Sequence, residues 1–429
     1  MTAARTSRPF LSLISAAEAY AIVGGFEPLP TETIAWQQAL ERVLAETVRA
    51  QADVPHFARS NMDGYAVRAE DTHRASELSS VALRLTGEVA MGEAAAVDLA
   101  PGCAVRVSTG AMMPAGADAV VIVEHCHEAD DNVLVRAPVT IGQNVIGVGE
   151  ELREHEVVLR AGRRLRPADL GALSVAGATD VRVYRKPRAG IIVTGDEIID
   201  PGIELQPGQV RNVNQFVLRA AAAKAHAEVR DYGVIGDDPD DFARTLSRAV
   251  SECDVAFLSG GSSKGHKDLT LSSIEALPGG EVLFHGIAIA PGKPTILARA
   301  GDCLLMGLPG NPAAAAVVFY LFGATLVRVL GGEKLDAIFR NRPRVRTVLA
   351  EDVSSTQGRE EYLRVRLESA TASPEPSGDG CVDELPLAVP QRGKSAAITT
   401  VARADALVAI AASSEGLRAG TVVDAWLLM

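Results

Sequence analysis

Hydrophobic and polar positions change their period several times along the chain, and each change marks an expected element. Near the N-terminus, Ser15 and Glu18 have the spacing of a capping box and predict a helix that stops at Gly24 and Gly25. Ile34, Leu40, Val43 and Leu44 are spaced for one buried helical face, so residues 1–55 are expected to be mainly helical, up to Pro55. From 56 to 139 the pattern becomes short β-rich runs, such as Val81–Leu85, Ala104–Val107 and Ala119–Val123, separated by Gly and Pro turns. A small inserted β domain is expected there. A mixed stretch follows to Tyr184, and Lys186 with Pro187 marks a linker, making 1–55 and 140–187 a discontinuous N-terminal domain.

Residues 188–332 alternate apolar strands with helical segments: Gly190–Val193, a helix near Val213–Ala225, Glu228–Ile235, a helix over Pro239–Val250, and Val255–Leu258. Continuous apolar strands between helices predict a mostly parallel sheet covered on both faces, a three-layer α/β domain. Past Gly331 and Gly332, Leu363, Val365 and Leu367 alternate with Arg364 and Arg366, which predicts a half-buried strand in a C-terminal β domain over 333–429. The expected fold class is therefore multidomain α/β plus β.

Two apolar segments raise the question of a membrane. Arg5 and Arg8 precede the apolar run Phe10–Ala17, but Glu18 interrupts it, and an amphipathic helix is the better reading. Cys303–Val327 carries no charge, yet Pro309, Gly310, Asn311 and Pro312 break it. That leaves about 15 residues, or roughly 22 Å of helix, short of a ~30 Å hydrocarbon core. A buried helix and no membrane span are expected.

The 429 residues allow two to four domains, and 47 % apolar with 22 % charged residues is ordinary globular composition. Lys and Arg number 42 against 54 Asp and Glu, a net charge of -12. That balance opposes sequence-independent binding of nucleic acid. The five cysteines, Cys103, Cys126, Cys253, Cys303 and Cys381, are odd in number and include no C-x-x-C pair, as expected of a cytoplasmic protein. His125, Cys126 and His127 are adjacent, and on an extended strand they point to alternate faces rather than to one metal.

Ligands of open α/β sheets bind outside the carboxyl ends of the strands, and three segments end there. Ile191–Val193 runs into Thr194, Gly195, Asp196 and Glu197, placing two hard-oxygen ligands suited to Mg²⁺. Val255–Leu258 runs into Ser259, Gly260, Gly261, Ser262, Ser263, Lys264, Gly265, His266, Lys267 and Asp268. Its glycines expose backbone N–H groups, its hydroxyls donate and its lysines neutralise, as a phosphate loop requires. In Gly307–Pro312, Asn311 is a candidate N-cap with Pro312 at the first helical position, which would offer a helix N-terminus to an anion. Pro291–Pro294 is a rigid turn carrying Lys293. Ala388–Ser395 fits a relaxed A-x-x-x-x-G-K-S pattern, but it lacks the first glycine, contains Pro390 and has too little chain after it for a nucleotide-binding sheet.

Six motifs in order carry a resemblance over nearly the whole chain: Ser60-Asn-Met-Asp-Gly-Tyr-Ala-Val67, Thr109-Gly110 with Pro114-Ala-Gly-Ala-Asp-Ala-Val-Val121, Thr194-Gly-Asp-Glu197, Ser259-Gly-Gly261 with Asp268, Pro291-Gly-Lys-Pro294 and Gly307-Leu-Pro-Gly-Asn-Pro312. The chain resembles the molybdopterin molybdenumtransferases, the MoeA and gephyrin E-domain family of molybdenum insertases. The resemblance implies an α/β domain of the molybdopterin-binding type and an elongated homodimer whose active cleft lies between the α/β domain of one subunit and the β domain of the other. It implies a reaction that takes adenylylated molybdopterin and molybdate, inserts molybdenum at the dithiolene and releases AMP with Mg²⁺. A molybdopterin adenylyltransferase and a client molybdoenzyme are the implied partners. By resemblance, Asp63, Glu197, Asp268 and Lys293 are the catalytic candidates, with Asp196, Glu197 and Asp268 for the metal. Thr109, Thr194, Gly195, the Ser259–Lys264 loop, Lys267, Pro309 and Asn311 would meet substrate.

The chain also departs from the family pattern. Where the family has an arginine-rich G-x-N-x-R-x-x-G-E-D stretch, residues 142–151 read Gly-Gln-Asn-Val-Ile-Gly-Val-Gly-Glu-Glu. The Lys before the P-G-K-P turn is Ala290, the Asp of the G-Q-x-x-D-S-N segment is Asn212, and the Ser-Gly of the C-terminal loop falls near Arg392–Lys394. Lys264, His266 and Lys267 bring cationic charge elsewhere. Two readings follow: a working insertase, or a paralogue that binds the molybdopterin nucleotide or a partner molybdoenzyme without turnover.

Overall fold

The computed structural model describes residues 13–260, 266–369 and 385–428, with the backbone alone over 266–269. The chain divides into two compact units. One comprises 33–40 and 44–183, the other the residues up to 32, 41–43 and those from 184 onward.

The first unit is built on a six-stranded sheet of β1 (Gly64–Val67), β2 (Val81–Val89), β3 (Cys103–Val107), β4 (Ala119–Ile122), β5 (Cys126–Ala129) and β6 (Asn132–Val135), in the order β4-β1-β3-β2-β6-β5. Only β2 and β3 pair in parallel. Successive side chains point to opposite faces, and both faces are buried: Tyr65, Val67, Leu83 and Val121 pack in one cluster, Ala66, Val89, Val105 and Val120 in another. This is the expected β-rich stretch.

The helical expectation for 1–55 holds only for α1 (Ala16–Gly24), whose capping box is formed as anticipated. Pro28 and Pro30 follow, and Thr31–Ala35 is a strand whose Thr and Ile side chains favour extended backbone. Ile34 and Leu44 do share a cluster with Leu165, Leu173 and Val183, while Leu40 is exposed. Their helical spacing is therefore coincidental: they reach one core from a strand and a loop.

In the second unit, β7 (Arg188–Thr194), β8 (Glu228–Ile235), β9 (Val255–Gly260), β10 (Gly280–His285), β11 (Ile296–Ala300) and β12 (Cys303–Leu308) form a sheet in the order β8-β7-β9-β12-β11-β10. The first four strands are parallel, and β11 runs against β12 and β10. Ile191, Val193, Phe257 and Met306 face a core shared with α1, α2 (Asn214–Lys224) and the helix Pro312–Leu330. Ile192, Ala256, Leu258 and Leu305 face a second core shared with α3 (Pro239–Glu252) and α4 (His266–Ala276). Burial on both faces is why these strands lack a polar alternation. The uncharged run expected to be a buried helix is one, with a π-helical stretch at Phe319–Gly323, where Gly323 lets Phe319 and Phe257 approach.

After it, β13 (Arg344–Leu349), β14 (Glu360–Glu368), β15 (Leu387–Pro390), β16 (Ala406–Ile410) and β17 (Val422–Leu427) close into a five-stranded barrel, β14-β15-β13-β17-β16 and back to β14. Leu349, Val365, Ala388, Val408 and Ala425 fill it. Pro390 ends β15, so the phosphate-loop-like run Ala388–Ser395 is a barrel strand and its exit.

Candidate functional site

Because β7, β9 and β12 are parallel, their carboxyl ends lie on one edge, with Thr194 opposite Gly260 and Ser259 opposite Leu308. Beyond that edge lies a cavity of about 410 Å³ lined by Thr194, Gly195, Glu197, Arg211, Asn212, Asn214, Asp237, Gly260, Gly310, Asn311 and Ala396. A second cavity of about 40 Å³ shares Thr194, Gly260 and Gly310 with it. Its remaining wall includes Ser259, Thr270, His285, Pro294 and Pro309.

Two glycines shape the rim. Gly260 has φ 129°, and a Cβ there would lie 2.2 Å from the Thr194 carbonyl oxygen. Gly195 has φ 148°, and the Glu197 carboxylate folds over it, 2.7 Å from where a Cβ would stand. Neither position admits another residue without moving the strand end or the carboxylate.

The residues singled out from the sequence divide into groups. Thr194, Gly195, Glu197, Gly260 and Asn311 meet at the larger cavity, and Ser259 and Pro309 at the smaller. Lys293 sits in the Pro291–Pro294 turn, whose Gly292 packs under Val318 and whose Pro294 lines the smaller cavity. Asp196 Oδ1 accepts the Asp237 N–H at 3.0 Å, so that carboxylate braces the loop after β8. Gly261, Ser262, Ser263, Lys264 and Gly265 lie outside the described residues, as do the side chains of His266, Lys267 and Asp268 at the start of α4.

Three expectations are revised. The Ser259 hydroxyl, 1 % exposed, accepts from Asn214 Nδ2 at 2.7 Å and reaches Pro309 O at 3.5 Å, so it is engaged within the protein. Asn311 holds the N-cap position, but its amide donates to Ser395 Oγ at 2.9 Å instead of capping. The helix N-terminus is not open to an anion either: the N–H groups of Ala313 and Ala314 donate to the Ser395 carbonyl at 3.0 and 3.3 Å.

Asp237 was missed, together with Arg211, Asn214 and Ala396. Asp237 stands beside Asp238, which caps α3 through the Asp240 and Asp241 N–H groups, and an acidic pair before a helix reads as capping. Its position just past a parallel strand was the available signal. Arg211 donates to the backbone carbonyls of Asp200 and Ile203, which braces the arm between Ile199 and Val210.

Asp63 and Thr109 belong to the other unit, where they form a pair of their own. Asp63 Oδ1 accepts the Thr109 N–H at 2.6 Å and its hydroxyl at 2.9 Å, and these bonds lower the carboxyl pKa. Gly64 is needed beside it, since a Cβ would lie 2.1 Å from Val121 O. The segment in which the arginines are absent runs alongside: Val145 and Ile146 pair with Ser60 and Arg59, and Asn61 N–H donates to Asn144 O. Glu150 is turned onto the Gly147 N–H at 2.7 Å. Among the described residues no group of three or more His, Cys, Asp or Glu side chains could hold a metal ion, and His125, Cys126 and His127 form none.

The comparisons with known proteins agree along the chain. A model of the MoeA N-terminal region (domain I and II) matches residues 14–177, a probable molybdopterin binding domain residues 190–328, and the MoeA C-terminal region (domain IV) residues 346–428. A molybdopterin molybdenumtransferase of Haemophilus influenzae is 34 % identical over 79 % of this chain and 82 % of its own length. One of Staphylococcus aureus is 32 % identical over 94 % of this chain and 92 % of its own. The crystal structure of a molybdopterin biosynthesis MoeA protein of Pyrococcus horikoshii OT3 superposes with a TM-score of 0.78 at 30 % identity, covering 97 % of this chain and all of that one. With the strand-edge cavity and the motifs that line it, these likenesses show that the chain belongs to the MoeA family of molybdopterin molybdenumtransferases, transferases of molybdenum cofactor biosynthesis.

Proposed function

We propose that the chain inserts molybdenum from molybdate into adenylylated molybdopterin and releases AMP. The observation that carries this reading is the strand-edge cavity, which Glu197 and Asp237 line together with Gly260 and Asn311. Two carboxylates lining one cavity suit activation of the water that must cleave a phosphoanhydride. In that reaction a water oxygen adds to one phosphorus, the bridging P–O–P bond breaks and AMP leaves; the two dithiolene thiols bind molybdenum, and one molybdate oxygen leaves as water with their two protons. Glu197, Asp268 and Asp63 are the proposed carboxylates. Lys293 and the Ser259–Lys264 loop with Lys267 are the proposed oxyanion contacts.

Mg²⁺ fits this site. Two hard carboxylates line the cavity, and Mg²⁺ typically takes one or two carboxylates, with substrate phosphate oxygens and water completing its shell. Glu197 and Asp237 would hold it; Asp268 is proposed as a further ligand, while Asp196 braces the loop that carries Asp237. Bound there, the ion would neutralise charge on the phosphates. Glu197 folded over Gly195 keeps its carboxylate at the cavity wall, and Thr194 stands beside it at the end of β7.

The working form is proposed to be a cytoplasmic homodimer with a shared cleft, served by an adenylyltransferase and serving a client molybdoenzyme. Cys103, Cys126, Cys253 and Cys303 are free thiols, in keeping with a reducing compartment. Four domains are proposed at 1–55 with 140–187, 56–139, 188–332 and 333–429. The test is to incubate the purified protein with adenylylated molybdopterin, molybdate and Mg²⁺ and to follow AMP. Molybdate-dependent AMP release is expected. Pterin nucleotide binding with no AMP above a buffer blank would replace this reading with that of a binding paralogue.

A further inference from the structure

We propose that Asn212 and Asn214 form a two-amide clamp that sets the spacing between the two walls of the strand-edge cavity, and that both are positioning residues. They lie at the start of α2, are 3 % and 7 % exposed, and flank Val213. Asn214 Nδ2 donates to Ser259 Oγ at 2.7 Å and to Gly310 O at 2.9 Å, tying the end of β9 to the loop that follows β12. Asn212 Nδ2 donates to Asp200 Oδ1 at 3.0 Å and to Gln215 Oε1 at 2.5 Å, tying the arm after Glu197 to α2. Gln215 in turn donates to the Asp231 carboxylate midway along β8, which also takes Arg219. The next residues along the chain, Gly260 and Asn311, line the cavity, and so does Glu197, three residues before Asp200.

The orientation of both amides follows from their partners. Gly310 O and the Asp200 carboxylate only accept, so each must face an NH₂ group. That leaves both Oδ1 atoms buried without a partner. A buried unpaired carbonyl is unfavourable, and an apolar residue would avoid it. What an apolar residue would lose is the four amide donations. The clamp therefore has a reason to be amide on both sides, and that reason is placement of Glu197 against Gly260 and Asn311.

The kinetic arm of the test rests on the proposed insertase reaction, and a second arm does not. Asn212→Ala and Asn214→Ala are compared with the wild-type protein in AMP release and in hydrogen exchange of backbone amides. Asn214→Ser, which keeps one donor, serves if Asn214→Ala does not fold. A one-ångström displacement across the cavity is expected to lower kcat by about tenfold to a hundredfold while KM moves by less than about threefold. Exchange should quicken in peptides covering 196–212 for Asn212→Ala and 308–315 for Asn214→Ala, and stay unchanged over barrel strand 360–368. Unchanged exchange in the tied loops would overturn the clamp. So would a kcat loss that disappears when each variant is assayed equally far below its own Tm. If the wild-type protein itself releases no AMP, the insertase reading falls and exchange alone decides the clamp.

Discussion

Asp254 is 7 % exposed and accepts from Arg185 at 2.8 and 3.0 Å, from Arg188 Nη2 at 3.1 Å and from the Arg188 N–H at 2.7 Å. Burial alone would push its carboxyl up, but the two guanidinium groups and the N–H outweigh burial and hold it at about 2. A folded pKa below the unfolded value, about 3.9, means that the pair stabilises the protein above that pH and ceases to do so as pH falls through about 2. Asp254→Asn is expected to cost on the order of 2 kcal/mol in urea unfolding at pH 7. The difference from wild type should vanish at pH 2, and an equal difference at both pH values would show that the charge is not the cause. The motifs made Asp63, Thr109, Thr194 and Glu197 legible, since each sits in a short glycine-bearing segment. Asp254 was not legible, because its guanidinium partners are 66 and 69 residues away.

At the scale of elements, the stretch from Arg188 to Leu308 was the most legible. Its strands are apolar throughout because both faces are buried, and the expected bounds of β7, β8 and β9 lie within two residues of those found. The N-terminal stretch was least legible, since a four-residue apolar spacing matched a helix while two prolines and β-branched residues made a strand. The end of β9 is sensitive to substitution. Gly260→Ala would drive a methyl into the Thr194 carbonyl, and the positive φ would be strained as well. It is expected to weaken binding of AMP in calorimetry by about tenfold, a magnitude in keeping with small displacements at a preorganised site. Unchanged affinity would mean that β7 and β9 do not jointly form the nucleotide wall.

For the whole molecule, the net charge of -12 means that the proposed anionic substrates would be held by local donors and a few cations rather than by a basic surface. The proposed shared cleft gives a test at this scale. Asp63→Asn and Glu197→Gln should each inactivate the protein alone. If the cleft takes Asp63 from one subunit and Glu197 from the other, refolding the two variants together should restore about a quarter of wild-type activity, because half the dimers are mixed and each mixed dimer has one intact site. No recovery, with mixed dimers shown to form, would place both residues in one subunit's site.

By itself the sequence determined the parallel sheet, the three loops at its carboxyl edge, the buried apolar helix and the family. All of these are written in local periodicity, in glycines at tight approaches and in short motifs. Only the tertiary structure decided which polar groups of those loops remain for a ligand. It turned Ser259 toward Asn214, Asn311 and the helix N–H groups toward Ser395, and Asp196 toward the loop carrying Asp237. The physical reason is separation: these partners stand 45, 84 and 41 residues apart, and a donor's choice of acceptor depends on what the fold brings within 3 Å, not on its neighbours in the chain.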